Sequence, residues 1–309
     1  MQHAWTGREI LSRIGERADV RAVETTAGTK IDALRIESLS RLVQAVGYLK
    51  YRTNRGNSYL RGQQSLYDGT VEPTLLRGTR TAPNLTALIS EFIATTSGWR
   101  CAHPDHHVTV CPEILAQGPR SARRLFTAGV PRYAAEPLLQ HYGIRTRWLD
   151  LVDNLWVALW FACHTFVRSK EHIHVVRRNI SDGGDDFVYV ITVTAPGIAA
   201  ERRPGFYRYP DGVTVIDLRK AVPSFYLRPH AQHGLLIKPM NDTGEMQLAA
   251  LQIPLSRALE WLGSSVLLSP FGLYPPASVD VGYHNFLDAV KAIEVPGPLG
   301  CVDVIGPGY

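Results

Sequence analysis

Apolar residues recur at helical spacing at Ile36, Leu39, Leu42, Val43 and Val46, which predicts a helix running to about Tyr48. Residues 1–30 ahead of it are polar and weakly patterned. Asn54 to Asn57 read as a turn, and 58–61 as a short strand that ends at Gly62. Pro83 and Asn84 open a second helix with Leu85, Leu88, Ile89, Phe92 and Ile93 on one face. An irregular stretch at about 99–120 reads as an insertion. A third helix is expected over 132–141, with Gly143 as its stop.

The period then changes. Residues 146–151 read as a strand, and Asp153 is placed to cap a helix carrying Trp156, Leu159, Trp160 and Cys163 on one face. Strands are expected at 187–193, 213–218, 234–238 and 246–253. A short helix follows from Ser256, a last one over 281–293, and a loop tail over 296–309. Helices dominate the first half and strands the second, which predicts an α+β fold.

Composition sharpens this picture only in part. The chain has 309 residues, room for one large domain or two small ones. Its longest apolar stretch, Leu155 to Cys163, has the length of a buried helix, so no membrane span is expected. The start, Met1 to Trp5, lacks a basic segment followed by an apolar one, so no signal peptide is expected. Four cysteines in a chain this long make no disulfide framework, and the expected location is cytoplasmic. The net charge of +5 is mild, but arginines cluster at Arg77 and Arg80, Arg120 to Arg124, Arg145 and Arg147, Arg177 and Arg178, and Arg202 and Arg203. Two readings stand side by side: forks for a phosphate-bearing partner, or a solvated surface.

Three segments carry candidate chemistry. Arg61 precedes Gly62, Gln63 and Gln64, and a guanidinium beside a glycine suits the approach of a phosphate or ribose, as it also suits a surface turn. From Gln140 to Asp150 the polar residues Gln140, His141, Thr146 and Asp150 interleave with apolar ones at a helix–turn–strand corner. Such groups need partners, either each other in a structural network or a ligand. Arg228 and Gln232 precede a strand opened by Gly234, where an amide can meet a substrate hydroxyl or hold the strand edge. The stretch from Cys101 to Cys111 has zinc-capable side chains in no standard spacing, and no metal is expected.

Together these residues resemble a known family. Tyr59-Leu60-Arg61-Gly62-Gln63 is similar to the Phe-Arg-Gly signature of the FRG domain. Leu139-Gln140-His141-Tyr142-Gly143, Thr146, Leu149-Asp150 and Ala158 to Ala162 resemble its longest motif. Arg228, Ala231-Gln232 and Gly234 resemble its late element, and Phe271 to Pro275 its C-terminal one. Leu60 stands where the family has Phe, and Leu235-Leu236 where an aromatic often follows the glycine. The resemblance implies a helical extension over 1–50, an FRG domain over 51–295, and the tail.

The order of elements also resembles an ADP-ribosyltransferase core, which implies a curved mixed or split β-sheet with flanking helices. On that resemblance Arg61, Asp150 and Gln232 are catalytic. Arg61, Gly62, Gln63, Gln140, His141, Tyr142, Thr146 and Arg228 would bind NAD, the expected substrate. The acceptor would be nucleic acid or protein, in a bacterial toxin or phage-defence setting with an antitoxin or immunity partner. NAD hydrolysis at the same site and a non-catalytic nucleotide- or nucleic-acid-binding module are the alternatives.

Overall fold

The computed structural model describes residues 2–52, 57–67, 130–144, 146–168, 173–181, 186–195, 197–210, 212–239, 245–265, 267–280 and 282–283. The fold is α+β, built on one large, mostly antiparallel sheet with helices packed on it. Its strands are β1 (Gln2–Trp5), β2 (Val20–Glu24), β3 (Lys30–Arg35), β4 (Asn57–Gln63), β5 (Leu149–Val152), β8 (Phe187–Ala195), β9 (Glu201–Arg203), β10 (Phe206–Arg208), β11 (Val213–Asp217), β12 (Gly234–Pro239) and β13 (Glu245–Pro254). β6 (His164–Arg168) and β7 (Ile173–Arg177) form a separate hairpin. The order across the large sheet is β2-β3-β13-β8-β4-β5-β12-β11-β10-β9, and β1 also pairs with β13. All six strands expected from the sequence lie side by side in its middle.

The helices are α1 (Arg8–Leu11), α2 (Leu39–Arg52), α3 (Arg132–His141), α4 (Leu155–Cys163), α5 (Leu218–Ala221), α6 (Leu227–Ala231), α7 (Leu255–Leu262) and α8 (Pro270–Leu273). α4 is apolar all round and buried, as such a sequence must be. It packs on β4 and β8 in a core that includes Leu60, Leu159, Trp160 and Val190. A second core gathers around α3, with Leu138, Leu139, Tyr142, Ile216 and Tyr226. Gly143 takes a φ of 95°, the left-handed stop after α3 that the sequence predicts.

Three expectations need correction. Residues 1–50 are not a helical extension: β1, β2 and β3 belong to the main sheet, with Ala33 opposite Ala250 of β13. Charges at Arg21, Glu24, Lys30, Asp32 and Arg35 mask their alternation, as is common near a sheet edge. β5 starts at Leu149, not at 146, because the Thr146 hydroxyl donates to Gln140 and accepts from Trp148 N, which engages the chain before the ladder begins. The cap of α4 is Asn154, whose Oδ1 accepts from Trp156 N at 2.9 Å and from Val157 N at 3.3 Å. Asp153 instead pairs with Arg219 at 2.7 Å.

The expected helix over 83–93, the insertion at about 99–120, the tail over 296–309 and all but two residues of the helix over 281–293 lie outside the described residues. Among the described residues no helix is long and apolar enough to cross a membrane.

Candidate functional site

β4 and β5 are neighbours in the sheet, yet they meet at a single pair, Leu60 with Val152. Beyond that pair the strands part, and a cleft of about 340 Å3 opens where they do. That size is at the lower end for small-molecule sites, which run from about 300 to 1,000 Å3. Parting leaves strand carbonyls without ladder partners, and a side chain takes up one of them. Arg61 Nη1 donates to the carbonyl oxygen of Asp150 at 2.6 Å. With the Gln63 amide turned so that its oxygen faces Arg61, Arg61 Nε donates to it at 3.0 Å.

Much of the cleft's lining is polar. Arg61, Gln63 and Gln64 come from β4 and the residue after it, Gln140 and His141 from α3, Asp150 from β5, and Gln232 from the turn before β12. Arg61, Asp150 and Gln232 therefore share one cleft. The Asp150 carboxylate is about half exposed at 47%, and Gln140 Nε2 donates to its Oδ2 at 2.6 Å. Thr146 holds Gln140 from behind. Aromatic side chains also line it: Tyr67, Phe161, Phe166 and Tyr274. Phe161 and Tyr274 fall in the motif stretches of the sequence, yet neither they nor Tyr67, Phe166 and His164, which also lines the cleft, stand among the expected site residues. The aromatics lie in apolar or turn segments, where nothing local distinguishes a cleft wall from a core.

Several residues expected at the ligand are elsewhere. Thr146 and Tyr142 are fully buried; the Tyr142 hydroxyl donates to Asp280 Oδ2 at 2.9 Å. Arg228, 1% exposed, lies among Tyr142, Tyr274 and Tyr283 with its guanidinium carbon 3.8 Å from the Tyr283 centroid. It donates to the His141 carbonyl at 3.4 Å. A cation over three phenol faces is well held by their quadrupoles, and its bond to the His141 carbonyl ties it to a residue that lines the cleft.

His141 lines the cleft, but both ring nitrogens are sealed from solvent. The ring edge lies where a side chain on Gly234 would be, with Cε1 2.3 Å from that position. Burial holds its pKa below the ordinary histidine value, against the pull of Asp150. Gln232, 4% exposed, spends its amide nitrogen on the Leu273 carbonyl at 2.7 Å, which ties α8 to the cleft. Gly62 has a packing reason: a Cβ there would stand 1.7 Å from the carbonyl oxygen of Ala158 in α4.

The arginine clusters are also committed where they are described. Arg147 pairs with Glu136 at 2.8 Å, Arg203 pairs with Glu201, and Arg177 and Arg178 donate to the carbonyls of Leu259 and Phe187. The reading of these clusters as forks for a phosphate-bearing partner gains nothing from them. Arg77, Arg80, Arg120, Arg123, Arg124, Arg145 and the Cys101–Cys111 stretch lie outside the described residues. Among the described residues no group of three or more histidine, cysteine, aspartate or glutamate side chains is arranged to hold a metal.

Residues 56–171 match the model of the FRG domain. The chain carries an FRG domain. That domain supplies β4, α3, β5, α4 and β6, and with them Arg61, Gln63, Gln140, His141, Asp150 and His164. The cleft is not the FRG domain's alone, since Gln232 and Tyr274 reach it from beyond the matched residues. No curated protein and no solved structure matches the chain.

Proposed function

We propose that the cleft binds NAD and that the protein is an ADP-ribosyltransferase acting on a nucleic-acid or protein acceptor. One observation carries the reading: Arg61 and Asp150 line a single cleft between two parting strands, and aromatic rings line the same cleft. Such rings offer flat faces for a nicotinamide or adenine ring. The Arg61 fork, steadied on the Asp150 carbonyl, faces a phosphate or ribose. The Asp150 carboxylate, fixed by Gln140, lies in the same cleft and can stabilise the positive charge that develops on the ribose as nicotinamide leaves. In this reading Gln232 shapes the wall through Leu273 and leaves the charge to Asp150.

The test is nicotinamide release from labelled NAD, with label transfer to mixed-sequence single-stranded DNA, RNA and a soluble-protein extract. Arg61→Lys and Asp150→Asn, each checked for folding by circular dichroism, are expected to lose on the order of 100-fold or more in release. Wild-type release in both folded variants would sink the reading.

The commitment of the Gln232 amide to backbone favours a second reading, a nucleotide-binding module without turnover. That reading requires NAD binding with no nicotinamide formed. Release without label on any acceptor would instead mark a hydrolase.

A further inference from the structure

His164 ends α4 and begins β6. Its ring lies on the indole of Trp160, centroids 4.0 Å apart and planes 18° apart. Nδ1 stands 2.8 Å from the Trp160 carbonyl oxygen. A carbonyl only accepts, so Nδ1 carries the proton, and in the neutral ring Nε2 keeps its lone pair. Burial holds this imidazole below the ordinary histidine value; the bond to Trp160 opposes that, and Arg177, its cross-strand neighbour in β7, adds to it. Nε2 makes no hydrogen bond among the described residues and, unlike both nitrogens of His141, is not sealed from solvent. The residue lines the cleft. It also lines a second pocket of about 320 Å3, whose lining includes Trp160, Arg177, Ser264, Ser265 and Ser269, side chains that can donate hydrogen bonds, beside the apolar Leu262, Leu268 and Pro270.

We propose that His164 Nε2 is the proton acceptor of this site, set between the NAD cleft and a second pocket that receives the acceptor. The inference rests on the transferase reading above. The bond from ribose C1′ to nicotinamide breaks, and nicotinamide leaves with the electron pair. A lone pair on an acceptor oxygen or nitrogen forms the new bond to C1′. The proton on that atom passes to Nε2, and the imidazolium then releases it to water. Among the other described cleft residues, the Gln232 amide is not a base, the His141 nitrogens are sealed, and the transferase reading keeps the Asp150 carboxylate, one oxygen of which accepts from Gln140, for the charge on the ribose. Arg177 on β7 is the charge that acts on the His164 ring, and the other charged and titratable groups that line the cleft with it among the described residues are Arg61 on β4, Asp150 on β5, His141 on α3, Tyr67 and Tyr274.

The experiment follows NAD binding, nicotinamide release and acceptor labelling for wild type, His164→Gln and His164→Ala across pH. In parallel, diethyl pyrocarbonate modification of the wild type is mapped by mass spectrometry, with and without ADP-ribose. Folded His164→Gln is expected to bind NAD as wild type does and to lose labelling on the order of 100-fold or more. With water as the acceptor the same loss is read in ADP-ribose formed. Wild-type labelling should be flat near neutral pH and fall on acidification below the ordinary histidine value, and the variant should lack that fall. The reagent should modify His164, more slowly with ADP-ribose, and spare His141. Wild-type labelling by folded His164→Gln would overturn the inference while leaving the transferase reading intact. Resistance of His164 to a reagent that modifies the half-exposed His233 would overturn it too. A wild-type protein that releases no nicotinamide would bring down the transferase reading itself, and the assignment of His164 with it.

Discussion

A methyl group on Gly62 would stand 1.7 Å from the carbonyl oxygen of Ala158, and one on Gly234 would stand 2.3 Å from the His141 ring. Neither glycine has a positive φ, so both are fixed by packing rather than by backbone conformation. The obstacle at Gly62 is backbone of a buried helix and cannot yield, whereas the obstacle at Gly234 is a ring that can turn. Gly62→Ala is therefore expected to destabilise the fold by about 3 kcal/mol or more, and Gly234→Ala by less. Urea unfolding measures both, and a Gly62→Ala midpoint equal to wild type would refute the argument. The signature Arg61-Gly62 was visible in the sequence, but its reason was not. A glycine beside an arginine looks like an invitation to a phosphate, and only the fold brings α4 against it. Thr146, Tyr142 and Arg228 misled in the same way: the chain declares a polar group, while the partner that satisfies it comes from elsewhere in the molecule.

Helix and strand boundaries show which local signals suffice. α3 and its Gly143 stop follow the pattern closely, because a buried face and a left-handed glycine are both written locally. The start of α4 offered two adjacent capping residues, Asp153 and Asn154, and local chemistry does not separate them. The ion pair with Arg219 draws Asp153 away and leaves the cap to Asn154. Asn154→Ala should thus cost about 1 kcal/mol through two lost backbone bonds. Asp153→Ala should leave the helix capped and instead release Arg219 from one of its two carboxylates. Denaturation of both variants, each repeated with Arg219→Ala, tests this. Coupling with Arg219 is expected for Asp153 alone, and coupling for Asn154 would contradict it. β6, β7, β9 and β10 escaped the sequence reading because no turn residue separates α4 from β6, and because three-residue strands are too short to show a period.

Across the whole molecule, the sheet order explains why the site is assembled from distant segments. Six strands that alternate or run apolar were legible, and they occupy the middle of the sheet from β13 to β11. Their order was not, since it depends on which faces α3 and α4 cover. Folding around these helices also buries titratable groups. His141, His164 and His230 are all held below the ordinary histidine value, with burial the largest cause in each. The unfolded chain keeps the ordinary value, about 6.5. Above it both states are neutral and the stability of the buried rings is fully present. As pH falls below it the unfolded chain takes up protons that the folded chain refuses, so stability declines until the folded values are reached. Glu136, lowered because its bonds to Arg147 outweigh burial, adds a loss of the same sign on further acidification. Asp280 is raised by burial and works in the opposite sense, one group against the three histidines. Thermal unfolding between about pH 7.5 and about pH 5.5 should therefore show a falling midpoint. A midpoint that stays level or rises over that range would mean either that Asp280 outweighs the three rings or that the rings accept protons in the folded state; a His164 ring-proton NMR shift that moves over the same range would decide for the second, and the neutral imidazole on which the proton-acceptor role of His164 depends would be lost.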